Sequence, residues 1–75
     1  MHITIRCFAS LARYTPAQAD PFPVEQGETV ARLIERLGIP PEEIKLIFVN
    51  GSHVQPGVVL AEGDRVGLFP AVGGG

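Results

Sequence analysis

A chain of 75 residues with a single stretch of helical periodicity has few ways to enclose a core. That stretch runs from Thr29 to Leu37, where Val30, Leu33, Ile34 and Leu37 fall at i, i+3, i+4 and i+7 and form one apolar stripe. Thr29 suits the N-cap, and Gly38 followed by Pro40-Pro41 stops the last turn. A helix this short is marginal alone and persists only if its stripe packs on a sheet. The rest of the chain supplies strands. His2 to Phe8 alternates, with Ile3, Ile5 and Cys7 on one face and His2, Thr4 and Arg6 on the other. Phe8 to Tyr14 reads as a short helical turn ended by Thr15-Pro16. Pro21 to Glu25 is extended but proline-studded, which confines it to a sheet edge, and Gln26-Gly27 turns the chain. Ile44 to Val49 reads as a strand buried on both faces, and Asn50-Gly51 as the turn of a tight hairpin. Gln55-Pro56-Gly57 and Glu62-Gly63-Asp64 are further turns on either side of the short extended piece Val58-Val59-Leu60. Arg65 to Phe69 is the final strand.

This order predicts an α+β fold of two layers, a mixed sheet with the helix on one face. The first and last strands alternate best and belong side by side at the centre. They run parallel, because the connection between them includes the helix. The arrangement is the β-grasp of ubiquitin, expected over residues 1–72, with Gly73–Gly75 as a thin, flexible C-terminal tail.

Composition narrows what such a domain can do. A core of this size contributes about 3–5 kcal/mol net and leaves little room for an enclosed substrate pocket. The net charge of −2, with its arginines scattered, offers no basic stripe for nucleic acid. No apolar run approaches the roughly 20 residues that span a bilayer. One cysteine closes no internal disulfide, and without a secretory signal the expected compartment is the cytoplasm. Cys7, on the inward face of its strand, fits core packing better than nucleophilic or sulfur-carrying chemistry, since no neighbouring cation lowers its pKa. His2 and His53 lack metal-ligand spacing, so no metal is expected. Glu42-Glu43 suits a helix start, and no glycine run matches a phosphate loop. Autonomous catalysis is therefore not expected, and neither is a bound cofactor.

The tail stands apart. A glycine pair in the last two positions arises by chance roughly once in 200 chains, and here a third glycine precedes it. A backbone without Cβ atoms can thread a channel that side chains would block. At its tip a carboxylate is ionised at neutral pH and nucleophilic towards an activated phosphate, whereas the alternative is a frayed terminus or a cloning remnant. As a carboxylate it is a poor electrophile. Before sulfur or an amine can attack its carbonyl it needs a leaving group, which adenylation by ATP would provide. The chain has no ATP site, so a separate activating enzyme is implied.

The segment Leu60 to Gly75, ending Leu68-Phe69-Pro70-Ala71-Val72-Gly73-Gly74-Gly75, resembles the MoaD/ThiS group of ubiquitin-like sulfur carriers. It is most similar to the MoaD branch, the small subunit of molybdopterin synthase, whose tail reads Phe-Pro-Pro-Val, one residue, Gly-Gly. Ala71 stands where that pattern has its second proline, and Gly73 at its variable position. Phe8 to Arg13, the helix from Thr29 and Val49-Asn50-Gly51 also resemble the group. The resemblance implies that the Gly75 carboxylate is adenylated, with ATP used by a MoeB/ThiF-like adenylyltransferase, and converted to a thiocarboxylate. The tail would then insert into a MoaE-like large subunit and donate sulfur in molybdenum cofactor biosynthesis, making the chain a non-catalytic donor subunit of a synthase complex. Phe69, Pro70, Val72, Gly73 and Gly74 would contact the partner. By alternation alone, Phe69 could equally close the core strand. A thiamine-thiazole carrier of the ThiS kind, a carrier for another cofactor, a ubiquitin-like protein modifier and a passive β-grasp adaptor with an inert tail are the alternatives.

Overall fold

The computed structural model describes residues 1–71. Val72 and Gly73–Gly75, and with them the expected boundary after residue 72, lie outside the described residues. Five strands form one sheet: β1 (His2–Cys7), β2 (Phe22–Pro23), β3 (Ile44–Val49), β4 (Ser52–His53) and β5 (Arg65–Pro70), in the order β2-β1-β5-β3-β4. β1 and β5 run parallel, with Thr4 beside Arg65 and Cys7 beside Leu68, as the alternation predicts. The other pairings are antiparallel. A 3-10 helix (Ala9–Tyr14) follows β1, a shorter one (Pro41–Glu43) precedes β3, and α1 (Val30–Leu37) covers one face. This is the mixed-sheet β-grasp architecture, with the proline-bearing β2 at an edge as expected.

The core is a single layer between α1 and the sheet. Ile3 and Ile5 of β1, Ile47 and Val49 of β3, and Val66 and Leu68 of β5 meet Val30, Leu33 and Ile34 of the helix, with Leu11, Val24, Ile39 and Leu60 closing the sides. The β3 expectation needs correction. Ile47 and Val49 are buried, but Leu46 is 37% exposed and Phe48 is half-buried. An unbroken apolar run suggests two covered faces, yet among the described residues only α1 is long enough to cover a sheet, and it occupies the other side.

Local chemistry explains the joints. The Thr29 side chain accepts from the Arg32 N–H, and the Thr29 carbonyl from Leu33. The Val30 and Ala31 N–H groups donate to the Val58 and Pro56 carbonyls, so the Val30, Ala31 and Arg32 donors that the helix itself leaves over are all satisfied. Gly38 ends α1 in the left-handed region at φ 76°. Asn50 (φ 53°) and Gly51 (φ 85°) form the two-residue turn between β3 and β4. The Asn50 side chain also accepts from the Arg65 N–H and donates to Asp64, whose other oxygen accepts from Ala61. That network, centred on the buried Asp64, fixes where β5 begins relative to β3.

Candidate functional site

The face of the sheet turned away from α1 carries an aromatic cluster, and the register explains why. β5 alternates, so the strand that buries Val66 and Leu68 must present Gly67 and Phe69 on the opposite side. Phe69 pairs with Leu46 and Gly67 with Phe48 on β3, while Phe48 pairs with His53 on β4. On the other flank Gly67 pairs with Arg6, and the chain leaving β1 brings Phe8 over β5. The Phe8 and Phe69 rings stack at 4.3 Å and 5°, and Phe48 meets Phe69 edge-on at 5.5 Å and 82°. Phe48 also lies 5.7 Å from the His53 ring. Gly67 leaves the floor low, since a Cβ there would touch the Phe8 and Phe69 rings at 3.5 Å. The result is a shallow apolar depression of about 330 Å³ bordered by Arg6 and Arg65.

Such a surface is unusual for so small a domain. Exposed aromatic rings in contact with one another cost solvation, and aromatic side chains with arginine at the border are the composition of a protein–protein contact. Phe69, which the sequence leaves between core and contact surface, belongs to this face and is half-buried by its ring neighbours. Pro70 ends β5 on the core side and is buried. Val72, Gly73, Gly74 and Gly75 lie outside the described residues. Sequence reasoning missed Phe8, Phe48, Arg6 and Arg65. The signal available was the off-phase position of Phe48 beside Ile47 and Val49, which repeats that of Phe69 beside Leu68.

A larger cleft, about 590 Å³, opens at the start of α1 between Glu25, Glu28, Arg32 and Arg36, but Glu28 and Arg36 are already engaged with each other. Glu28 accepts from the Glu25 N–H at 2.9 Å and from the Arg36 guanidinium at 2.9 and 3.0 Å. Burial alone would raise the Glu28 carboxyl, but that N–H and Arg36 outweigh it and hold the group below its ordinary value. Arg36 also donates to the Pro23 carbonyl and lies over the Phe22 ring. The helix donors are spent on Pro56, Val58 and Thr29, so no anion seat remains there.

Cys7 is half-buried beside Leu68. Burial pushes its thiol above the ordinary value, a hydrogen bond with the Thr15 side chain opposing only part of the shift. His2 and His53 are exposed. Glu43 takes a structural part, accepting from Arg13 at 3.2 Å and from the Tyr14 hydroxyl. Among the described residues no three potential ligands gather into a metal site, and no helix is long and apolar enough to cross a membrane.

A family model described as the ThiS family matches residues 5–75, nearly the whole chain and all of β5. The chain belongs to the ThiS family. Among solved structures, this ThiS-family chain is similar to SAMP1 from Haloferax volcanii, at 24% identity and a TM-score of 0.74, with all of both chains covered. It is likewise similar to a structure of H. volcanii small archaeal modifier protein 1, at 26% identity and a TM-score of 0.72, covering 95% of this chain and 98% of the other. Both likenesses have the ubiquitin-like fold at full length. Among curated proteins none matches the sequence.

Proposed function

We propose that this chain is a sulfur carrier whose working group is the carboxylate of Gly75. A MoeB/ThiF-like adenylyltransferase, using ATP, would join AMP to that carboxylate with release of pyrophosphate. A sulfur nucleophile would then attack the acyl carbon, expelling AMP and leaving a thiocarboxylate. The observation that carries this proposal is the placement of the aromatic face on β5, the strand that leads directly into Ala71, Val72 and Gly73–Gly75. A partner seated on Phe69, Phe48 and Phe8 would have the next residues of the chain at its own surface, where a narrow channel could align the acyl group with the α-phosphate. The chain supplies the acyl group and the docking face, and the partner supplies the catalysis.

The Leu68-Phe69-Pro70-Ala71-Val72 approach to the glycines favours the molybdopterin branch, in which a MoaE-like large subunit accepts the tail and Val72, Gly73 and Gly74 line its entry. Pro70, expected there from the sequence, is instead buried on the core side and ends the strand. The test is incubation of the intact chain with the adenylyltransferase and ATP, first for pyrophosphate exchange and then, with a sulfur donor, for a gain equal to sulfur replacing oxygen on Gly75. Absence of exchange with every MoeB/ThiF-like enzyme of the host would overturn the proposal. Discharge of that sulfur by a thiazole-forming enzyme and not by a MoaE-like subunit would move the chain to the other branch.

The likeness to a small archaeal modifier protein supports a second reading, a ubiquitin-like modifier that transfers Gly75 to amines of other proteins. The same adenylate serves both. Recovery of isopeptide-linked Gly75 on lysines of host proteins distinguishes the modifier from the dedicated carrier.

A further inference from the structure

Two arginines border the aromatic depression without an acid to answer them. Arg6 lies on β1 and Arg65 on β5, and the parallel register sets Arg6 beside Gly67 and Thr4 beside Arg65. They are therefore diagonal neighbours on one face of the sheet, with backbones about 8 Å apart by strand spacing and rise. Side chains as long as arginine meet across that distance. Both are exposed, and both line the depression above the Gly67 floor. Among the described residues the ion pairs are Arg13–Glu43, Arg32–Glu35 and Arg36–Glu28, so neither border arginine takes part in one. Asp20 reaches this flank, where the Thr4 hydroxyl donates to it at 3.0 Å, but it stays beyond ion-pair distance of both.

The arrangement costs the free chain something and gains in a complex. Two neighbouring guanidiniums repel each other, and in a chain of net charge −2 they make a local patch of the opposite sign. They add nothing to the core, which lies on the other side of the sheet. A carboxylate placed between them would relieve the repulsion and accept charge-assisted hydrogen bonds from both. Beside that position the low floor at Gly67, walled by Phe8, Phe48 and Phe69, admits an apolar side chain. The occupant this border fits is a protein surface that carries an apolar side chain and a carboxylate close together.

We infer that Arg6 and Arg65 are a recognition pair for a carboxylate of the partner that docks on the aromatic face, an inference that rests on that face being the docking surface of the proposed function. The pair sorts partners by charge. An apolar patch bordered by acid is drawn in, and one bordered by lysine or arginine is repelled. The work divides between rings and cations. The rings hold a seated partner and set how slowly it leaves, whereas the arginines act at a distance and set how fast it arrives.

The experiment is stopped-flow association of the whole chain with the host's MoeB/ThiF-like adenylyltransferase, at about 20 mM and about 500 mM salt. At low salt, Arg6→Ala with Arg65→Ala should slow association about 10-fold, and Arg6→Glu with Arg65→Glu about 100-fold. Dissociation should stay within about threefold of the wild type. At high salt, where screening acts within roughly 4 Å, the three chains should associate at similar rates. Arg32→Glu, an exposed helix position that also makes the chain more negative, should leave association unchanged. The border variants should melt no lower than the wild type, since the fold gains nothing from the pair. Association slowed less than about twofold by the glutamates, a loss equal at both salts, or an equal loss from Arg32→Glu would each overturn the recognition pair. Pyrophosphate exchange by the wild type tests the proposed function by itself, so with exchange present such a result refutes the arginines alone. Absence of both exchange and binding would overturn the docking reading and the pair with it.

Discussion

Glu28 and Arg36 form the most demanding pair in the molecule. The Glu28 side chain is 4% exposed and Arg36 37%, with the contact at 2.9 Å. Removing one partner of a fully buried pair costs about 3–5 kcal/mol, but water reaches Arg36, so Arg36→Ala should cost about 2 kcal/mol. In a domain this small that lowers the melting midpoint by roughly 8–16 °C, which calorimetry would register. The pH dependence has a definite sign. Because folding depresses the Glu28 carboxyl, its contribution is present above the ordinary glutamate value of about 4.3 and is lost as pH falls through the lower folded value. Melting should therefore fall more steeply below about pH 4 in the wild type than in Glu28→Gln, and parallel curves would contradict it. Cys7 behaves oppositely. With its thiol pushed up by burial, it should alkylate more slowly than free cysteine at neutral pH, and Cys7→Ser should still acquire sulfur on the terminal acyl group in the reconstituted reaction. Sulfur mapped to Cys7 would defeat both the chemistry and the placement.

At the scale of elements, β5 combines two tasks by alternation: Val66, Leu68 and Pro70 join the core, while Gly67 and Phe69 form the surface between Phe8 and Phe48. Truncating Phe69 should therefore act on docking more than on folding. Phe69→Ala should raise the carrier concentration giving half-maximal pyrophosphate exchange by roughly 10- to 30-fold, the effect of losing a central aromatic anchor. It should cost only about 1–2 kcal/mol of stability through lost ring contacts. Val59→Ala, at an exposed loop position away from that face, should change neither. Equal effects of the two substitutions would show that the aromatic face is not the docking surface. These elements were legible in the sequence to unequal degrees. Helix α1, its Thr29 and Gly38 ends, the Asn50-Gly51 hairpin and the parallel β1–β5 pair follow from periodicity and turn chemistry, which are local. The open side of β3 does not, because Ile44 to Val49 is apolar throughout and a count of covering helices is needed to choose its bare face. Nor does the cluster itself, since Phe8, Phe48 and Phe69 become neighbours only through strand register. The off-phase positions of Phe48 and Phe69 were its only local trace. The Glu28–Arg36 pair was likewise hidden, as it joins a loop residue to the far turn of α1.

At the scale of the whole molecule, hydrogen bonds between distant parts of the chain close the fold. Met1 and Val24 exchange two of them at one edge, Gly63 donates to His2, Phe8 donates to the Leu68 carbonyl, and Asn50 ties the start of β5 to the end of β3. Among the described residues the core runs from Ile3 to Leu68, and Pro70 is the last buried position. Stability and the proposed chemistry are therefore expected to separate along the chain. Deleting Gly74 and Gly75 should leave the melting midpoint within about 2 °C of the full chain, because they follow the last periodic segment of the sequence and have no side chain to add to a core. It should also abolish pyrophosphate exchange, since the remaining terminus would stop about 7 Å short of the position that Gly75 occupies in an extended tail. Gly74→Leu offers the complementary measurement. It keeps the length and the terminal carboxylate but adds a branched side chain where the proposed channel passes only backbone, so it too should melt normally and fail in exchange. A truncated chain that melts far below the full one would make the tail part of the fold, and a leucine variant that exchanges at the wild-type rate would mean the tail is not threaded through a channel.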